Sequence, residues 1–311
     1  MLRRPLARAG DWLLVLATLA AVLALVMPSH WLAQHSDVVL AALVLFTALG
    51  IAPAQLATLT GHKLQLSVLV VAPFIALVPL GWLISRLFSG PVRDGVLTLG
   101  VSSTEVAAVG LVALAGGSAV LALGALAGSL VVAALLGPFL LGTLAGSASD
   151  VAVGELVARF ALVVLVPLVL GLLARAAVTR LEHAEGELSG LATISVVLLV
   201  YAAMSGAGEG GDLVPAAAAG ALFLAASAIP ALVWLSLAPR PLRVTGALVI
   251  ELRDFAVAAA LAAQAFGPAA ATVSGVYGVL MLLLGVAAAH LLPRRARTAC
   301  RAGPRVRRPP R

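Results

Sequence analysis

Runs of about twenty apolar residues recur along almost the whole chain, and this recurrence limits the possible folds more than any other feature. A helix needs roughly that length to cross the hydrocarbon core of a bilayer. Ten runs qualify: 12–29, 37–58, 64–88, 94–115, 118–146, 152–174, 188–207, 213–238, 244–265 and 268–292. Of 311 residues, 62% are hydrophobic and 11% charged, and the mean hydropathy is +1.13, so lipid is the main solvent. The fold class expected is all-α, a polytopic membrane bundle of ten transmembrane helices. Ala, Val, Leu and Gly dominate, which lets helices approach closely where lipid offers no hydrophobic drive for association. Only a glycine or proline turn separates neighbouring runs at Gly116-Gly117 and Gly267-Pro268.

Basic residues set the orientation. With the start of the chain in the cytoplasm, Arg3, Arg4, Arg8, Lys63, Arg175, Arg180, Arg240, Arg243 and the eight arginines after Pro293 fall inside. Only Arg86 and Arg93 fall outside, and Arg159 and Arg253 lie within spans. Outer loops carry Asp37, Asp94, Asp150, Glu209 and Asp212. The positive-inside rule is met by an integral inner-membrane protein with both termini cytoplasmic. The basic start reads as a retained signal anchor, since its apolar run is long for a signal peptide. The tail, 294–311, reads as a disordered basic topology determinant and not as a nucleic-acid-binding segment.

Against this apolar background, Glu251, Arg253 and Asp254 stand inside the run from Val244 to Ala265 with no other charge beside them. Ionisable groups at that depth cost roughly 2.5–3.5 kcal/mol each on insertion scales, and normally line a cavity or bind something. A second polar interruption, Ser102, Ser103, Thr104 and Glu105, lies in the run 94–115. At such places helices unwind and offer carbonyls and half-helix ends to an ion or an anionic substrate. Breaks are therefore expected at 102–105 and 251–254. Glu251, Asp254 and Glu105 are the candidates for cation or proton coupling, and Ser102, Ser103 and Thr104 for a substrate cavity. Arg253 is the candidate tethered cation or contact for a substrate anion, neutralising Glu251 or Asp254. The alternative is a neutralised cluster that only pins one helix to another.

Ten spans divide into five plus five, and an odd number per half inverts the second half. The halves expected are 1–146 and 147–293. The fourth span of each, GVLTLGVSSTEVAAVGLVALAGG (95–117) and GALVIELRDFAVAAALAAQAFG (246–267), has a polar midpoint, an Ala-rich stretch and a glycine turn. A shift of 150 puts Gly117 on Gly267 and Leu111 on Leu261. Inverted repeats with broken helices are a common transporter design.

Other chemistries find no footing. The single cysteine, Cys300, excludes an intramolecular disulfide. His30, His35, His62, His183 and His290 lie in loops or at segment ends without metal-ligand spacing, so no metal centre or other cofactor is expected. No Ser-His-Asp, HExxH or paired-aspartate arrangement stands at membrane depth, which argues against an enzyme.

Three segments resemble the bile acid:sodium symporter family: LVLFTALGIAPAQLATL (43–59) its second span, STEVAAVGLVALAGGSAVLALGALAGS (103–129) its fourth and fifth, and IELRDFAVAAALAAQAFGPAAATVSGVYGVL (250–280) its ninth and tenth. The resemblance implies two discontinuous helices crossing at mid-membrane, a core domain that moves against a panel domain, and sodium-coupled uptake of organic anions. Glu251 matches the glutamate that opens the family's E-x-G-x-Q-N motif, but the Gly, Gln and Asn positions carry Arg253, Phe255 and Ala256. The family's Ser-Asn pair falls near Ala108 and Val109, its fifth-span hydroxyls near Ala122 and Leu126, and its third-span glutamine on Phe74, five residues before Pro79. Sodium is implied by the family, while the residues argue against two-sodium coupling.

The function expected is secondary active transport of a small organic anion by alternating access around crossed broken helices. A proton-coupled exchanger or efflux carrier of related fold is the main alternative, and a non-transporting membrane scaffold or sensor a distant one. The expected partners are the organic anion, sodium or protons, and the lipid bilayer.

Overall fold

The computed structural model describes residues 12–145, 153–178, 184–209 and 212–291. Arg3, Arg4, Arg8, Asp150, Arg180, His183 and the tail 294–311 with Cys300 lie outside the described residues, as does the expected boundary between halves at 146–147.

Regular structure among the described residues is helical. In chain order the helices are α1 (Leu13–Val26), α2 (His30–Gln34), α3 (Ser36–Leu49), α4 (Pro53–Thr58), α5 (Lys63–Ser85), α6 (Gly90–Val101), α7 (Ala107–Leu114) and α8 (Ala119–Ala145). They continue as α9 (Val153–Ala177), α10 (Glu185–Ser205), α11 (Leu213–Leu237), α12 (Arg243–Glu251), α13 (Phe255–Phe266) and α14 (Pro268–Leu291). Five are long and apolar enough to cross a membrane: α5 with its leading 3-10 turn, α8, α9, α10 and α11. α1, α3 and α13 are apolar and shorter.

The run 37–58, expected as one helix, is two. Helix α3 ends at Leu49 and α4 begins only at Pro53. Pro53 has no N–H to continue the ladder and pushes Ala52 out of helical backbone. At both thin separators the chain turns: Gly116 and Gly267 have φ of +79° and +93°, a left-handed region that favours glycine, and Pro268 then opens α14.

The helices form two packed groups. On one side α9 and α10 lie against α3, and α1 lies against α10. On the other, α5, α6, α8, α11, α12, α13 and α14 surround the two breaks. The groups meet where α9 lies on α8, α14 on α10 and α1, and α13 on α10 and α3. Leucine, valine and isoleucine remain on the outside, as at Val22, Ile75, Leu162 and Ile229. Buried polar side chains occur in both groups, and the two breaks hold a contiguous cluster of them at Ser102, Ser103, Thr104, Glu105, Arg253 and Asp254.

Close contact of α6 with α14 holds the first break in place. A Cβ at Gly95 would run into the Ala270 carbonyl oxygen, and would lie 2.8 Å from the Val273 side chain. The carbonyl belongs to backbone and cannot swing aside. Gly95→Val is therefore expected to destabilise the bundle by about 1–3 kcal/mol through overpacking, read as a lower melting temperature in detergent. A melt unchanged from the wild type would mean that α6 and α14 do not approach this closely.

Candidate functional site

Both polar interruptions are breaks, and the broken stretches pair with each other. Helix α6 ends at Val101 and the backbone turns extended at Ser102. Helix α12 ends at Glu251 and turns extended at Leu252. The two stretches run antiparallel, with Thr104 opposite Arg253. Glu105 N–H donates to the Leu252 carbonyl at 3.0 Å, and Asp254 N–H to the Ser103 carbonyl at 2.9 Å. The N–H groups of Thr104 and Arg253 point outward from this pair. They donate to Ser129 Oγ at 3.0 Å and to the Tyr277 hydroxyl at 3.1 Å. Backbone donors freed by unwinding are thus satisfied inside an apolar bundle, where an unpaired group is costly.

Two carboxylates sit at helix N-termini. Asp254 caps α13, its Oδ1 accepting from the N–H groups of Ala256 and Val257 at 3.0 Å each. The Ser103 hydroxyl donates to its Oδ2 at 3.4 Å. Glu105 lies just ahead of α7 with Asp254 nearby, and its Oε2 has no hydrogen-bond partner. Both acids therefore lie at the positive ends of helix dipoles. Both are buried.

Glu251 is placed differently. It ends α12, at the negative pole of that half-helix, and is half-buried. Its Oε1 accepts from Ser227 at 3.3 Å, whereas Oε2 has no hydrogen-bond partner. The Tyr277 hydroxyl, which receives the Arg253 N–H, donates to the Glu251 carbonyl at 3.4 Å.

Arg253 is the largest side chain with no exposed surface. Its guanidinium carbon lies 5.2 Å from the centroid of the Phe74 ring on α5, a cation–π contact. None of its three guanidinium nitrogens has a hydrogen-bond partner. The ion pair with Glu251 or Asp254 expected from their opposite charges is not formed. On extended backbone successive side chains point to opposite sides, so Asp254 turns back onto α13 while Arg253 reaches to α5.

The structure thus brings Ser103, Thr104, Glu105, Arg253 and Asp254 to one crossing, with Glu251 at its edge. Ser102 and Thr104 are fully buried and use their hydroxyls on backbone, Ser102 on the Leu99 carbonyl at 2.9 Å and Thr104 on the Val249 carbonyl at 3.4 Å. Sequence reasoning missed Ser129, Ser227 and Tyr277. A usable signal was present, since Ser129 and Ser227 are hydroxyls near the middle of long apolar helices and Tyr277 is one of only two tyrosines.

The positions that correspond to sodium ligands in bile acid:sodium symporters do not fit a sodium ion. Phe74, Ala108, Ala122 and Leu126 are buried apolar side chains without an oxygen to offer, and a hard cation requires several. No curated protein matches the sequence. The model of the SBF-like CPA transporter family matches residues 11–284, in agreement with the resemblance to the bile acid:sodium symporters. By that match, which covers most of its length, the chain belongs to the SBF-like CPA transporter family, a family of membrane transporters.

Proposed function

We propose that the chain is a secondary active transporter of a small organic anion, in which Arg253 supplies at the crossing the positive charge that a sodium ion supplies in bile acid:sodium symporters. The observation that carries this reading is the buried guanidinium with three free nitrogens beside two helix breaks. A buried polar group without a partner in a native structure calls for a ligand or a mechanistic role. Planar guanidinium suits a carboxylate, which it binds through two parallel hydrogen bonds. Glu105, whose Oε2 also lacks a hydrogen-bond partner, and Asp254 stand at helix N-termini, whereas Glu251, likewise with one oxygen free, ends its helix and is only half-buried, which favours it as the coupling carboxylate. The enclosed crossing stands for an occluded step, and the two helix groups move against each other to open it to either side.

This reading includes ten spans in two inverted repeats, 1–146 and 147–293, with both ends in the cytoplasm of an inner-membrane protein. A reciprocal pattern at the crossing supports the repeat. Thr104 and Arg253 face each other, and each gives its N–H to a hydroxyl on the second helix after it, α8 and α14, 25 and 24 residues later. Two unrelated halves have no reason to share that arrangement. A proton-coupled exchanger is the second reading, favoured by the closeness of Glu105 to Asp254, since two neighbouring carboxylates repel unless one takes a proton.

Uptake of a panel of organic acids into proteoliposomes, with sodium and proton gradients imposed separately, tests both. Carboxylate uptake that persists without sodium is the expected result. Transport of no organic acid under either gradient would remove the proposal, and movement of protons against a cation would favour the exchanger.

A further inference from the structure

We infer that the outer face of the α5–α11 pair binds one anionic phospholipid of the cytoplasmic leaflet, its acyl chain in an apolar groove and its phosphate among Lys63, Arg240 and Arg243. A groove of about 910 Å³ lies between these helices, at the upper end of the roughly 300–1,000 Å³ usual for ligand pockets. It runs from Leu64 and Pro239, at one end of the two helices, to Ile250, the residue before Glu251. Ala72, Ala76 and Ala226 are part of its lining and leave room that larger side chains would fill. The proposal takes from the proposed function only the membrane placement and its inside face.

Charge complementarity identifies the occupant. Lys63 adjoins the lining residue Leu64, and Arg240 and Arg243 bracket the lining residues Pro241 and Leu242. All three cations are exposed. Neither 52–93 nor 213–250 contains an Asp or Glu to neutralise them. Trp234 lines the same end and donates its indole N–H to the Leu242 carbonyl at 3.0 Å, the placement of an interfacial tryptophan with one wet and one apolar side. At membrane depth an apolar concavity is filled by hydrocarbon. With three cations at the mouth, that hydrocarbon belongs to a lipid with an anionic headgroup.

Native mass spectrometry of the purified full chain in detergent, titrated with dioleoyl phosphatidylglycerol or dioleoyl phosphatidylcholine, tests the site without requiring transport. One phosphatidylglycerol should be retained preferentially, with roughly fivefold tighter binding for each cation engaged. Lys63→Gln with Arg240→Gln, both exposed, should reduce that preference by more than about tenfold. Ala76→Phe, which fills the groove and leaves the charges, should reduce retention of both lipids. Equal retention of the two lipids by the wild type, or a preference that survives the double replacement, would overturn the site. So would a dimer mass that Ala76→Phe dissociates, which would show a second copy of the chain in the groove. Lipid retention in a protein that moves no organic acid would leave this site standing while removing the proposed transport function, and the reverse result would do the opposite.

Discussion

Glu251→Gln is expected to stop transport, by on the order of a hundredfold or more, in a protein that still reaches the membrane and folds. Glutamine keeps the size of the side chain and an oxygen for the Ser227 hydroxyl, which donates to Glu251 at 3.3 Å, so the break should survive. The change removes the negative charge. Glu251 is the one acid at the crossing that sits at a helix C-terminus with an unpartnered oxygen, and nothing but an incoming cation, proton or the Arg253 guanidinium can balance it. An incoming cation or proton then finds no charge at 251 to bind, which is the source of the expected loss. Ser227→Ala provides the scale. It takes away one hydrogen bond to a charged group, worth about 1.5–3 kcal/mol, and should slow transport without abolishing it. Initial uptake rates in proteoliposomes, normalised to incorporated protein, check both. Full activity of Glu251→Gln would take Glu251 out of the mechanism and return attention to Glu105 and Asp254.

How much of this site could be read from the chain depends on how far each side chain reaches. Both breaks were legible because four polar residues at Ser102–Glu105 and three charges between Glu251 and Asp254 stand out in otherwise apolar runs, and an apolar bundle tolerates such groups only where the helix opens. The turns at Gly116 and Gly267 were legible for a related reason, since glycine marks where the chain can take a positive φ. The stop after Leu49 was present in the residues as well, in Pro53, but the hydropathy of 37–58 runs straight through it and hides it.

What could not be read is which way the long side chains go. Charge suggested that the guanidinium of Arg253 would neutralise Glu251 or Asp254. On the extended stretch that replaces the helix, Asp254 instead closes the N-terminus of α13, and its two N–H bonds at 3.0 Å compete successfully with an ion pair. Arg253 then turns to Phe74, nearly 180 residues earlier in the chain. No periodicity links those two positions. Ser129 and Tyr277 stand out by residue type, but their partners do not, because accepting the N–H of the bridged residues becomes a role only once the two breaks have crossed. Distance along the chain says nothing about such contacts, whereas the local rules that make a break operate within a few residues.

Arg253→Gly is expected to change the ion dependence of transport more than its choice of substrate. If the resemblance to the bile acid:sodium symporters holds residue by residue, the residue that carries the fixed charge stands at the glycine of the family's E-x-G-x-Q-N motif and the aromatic ring beneath it at the third-span glutamine. The two replacements suit each other, because a guanidinium in that space cannot be solvated by water and finds the face of a ring instead, 5.2 Å from its centroid. A sodium ion held about 5 Å from the guanidinium would be opposed by about 3 kcal/mol at an effective dielectric of about 20, a factor of more than a hundred in affinity. The wild type should therefore transport equally well with sodium or with choline outside. Arg253→Gly removes the internal cation and should lose most of that sodium-independent transport, since no fixed positive charge is then left at the crossing for the substrate anion. Adding Phe74→Gln returns an oxygen to the space, and the double variant should recover part of the lost rate only when sodium is present. Titrating uptake against sodium at constant ionic strength distinguishes these cases. A wild type that needs sodium steeply, with two ions moved per substrate, would mean that Arg253 does not stand in for the ion and that sodium finds its oxygens elsewhere at the crossing.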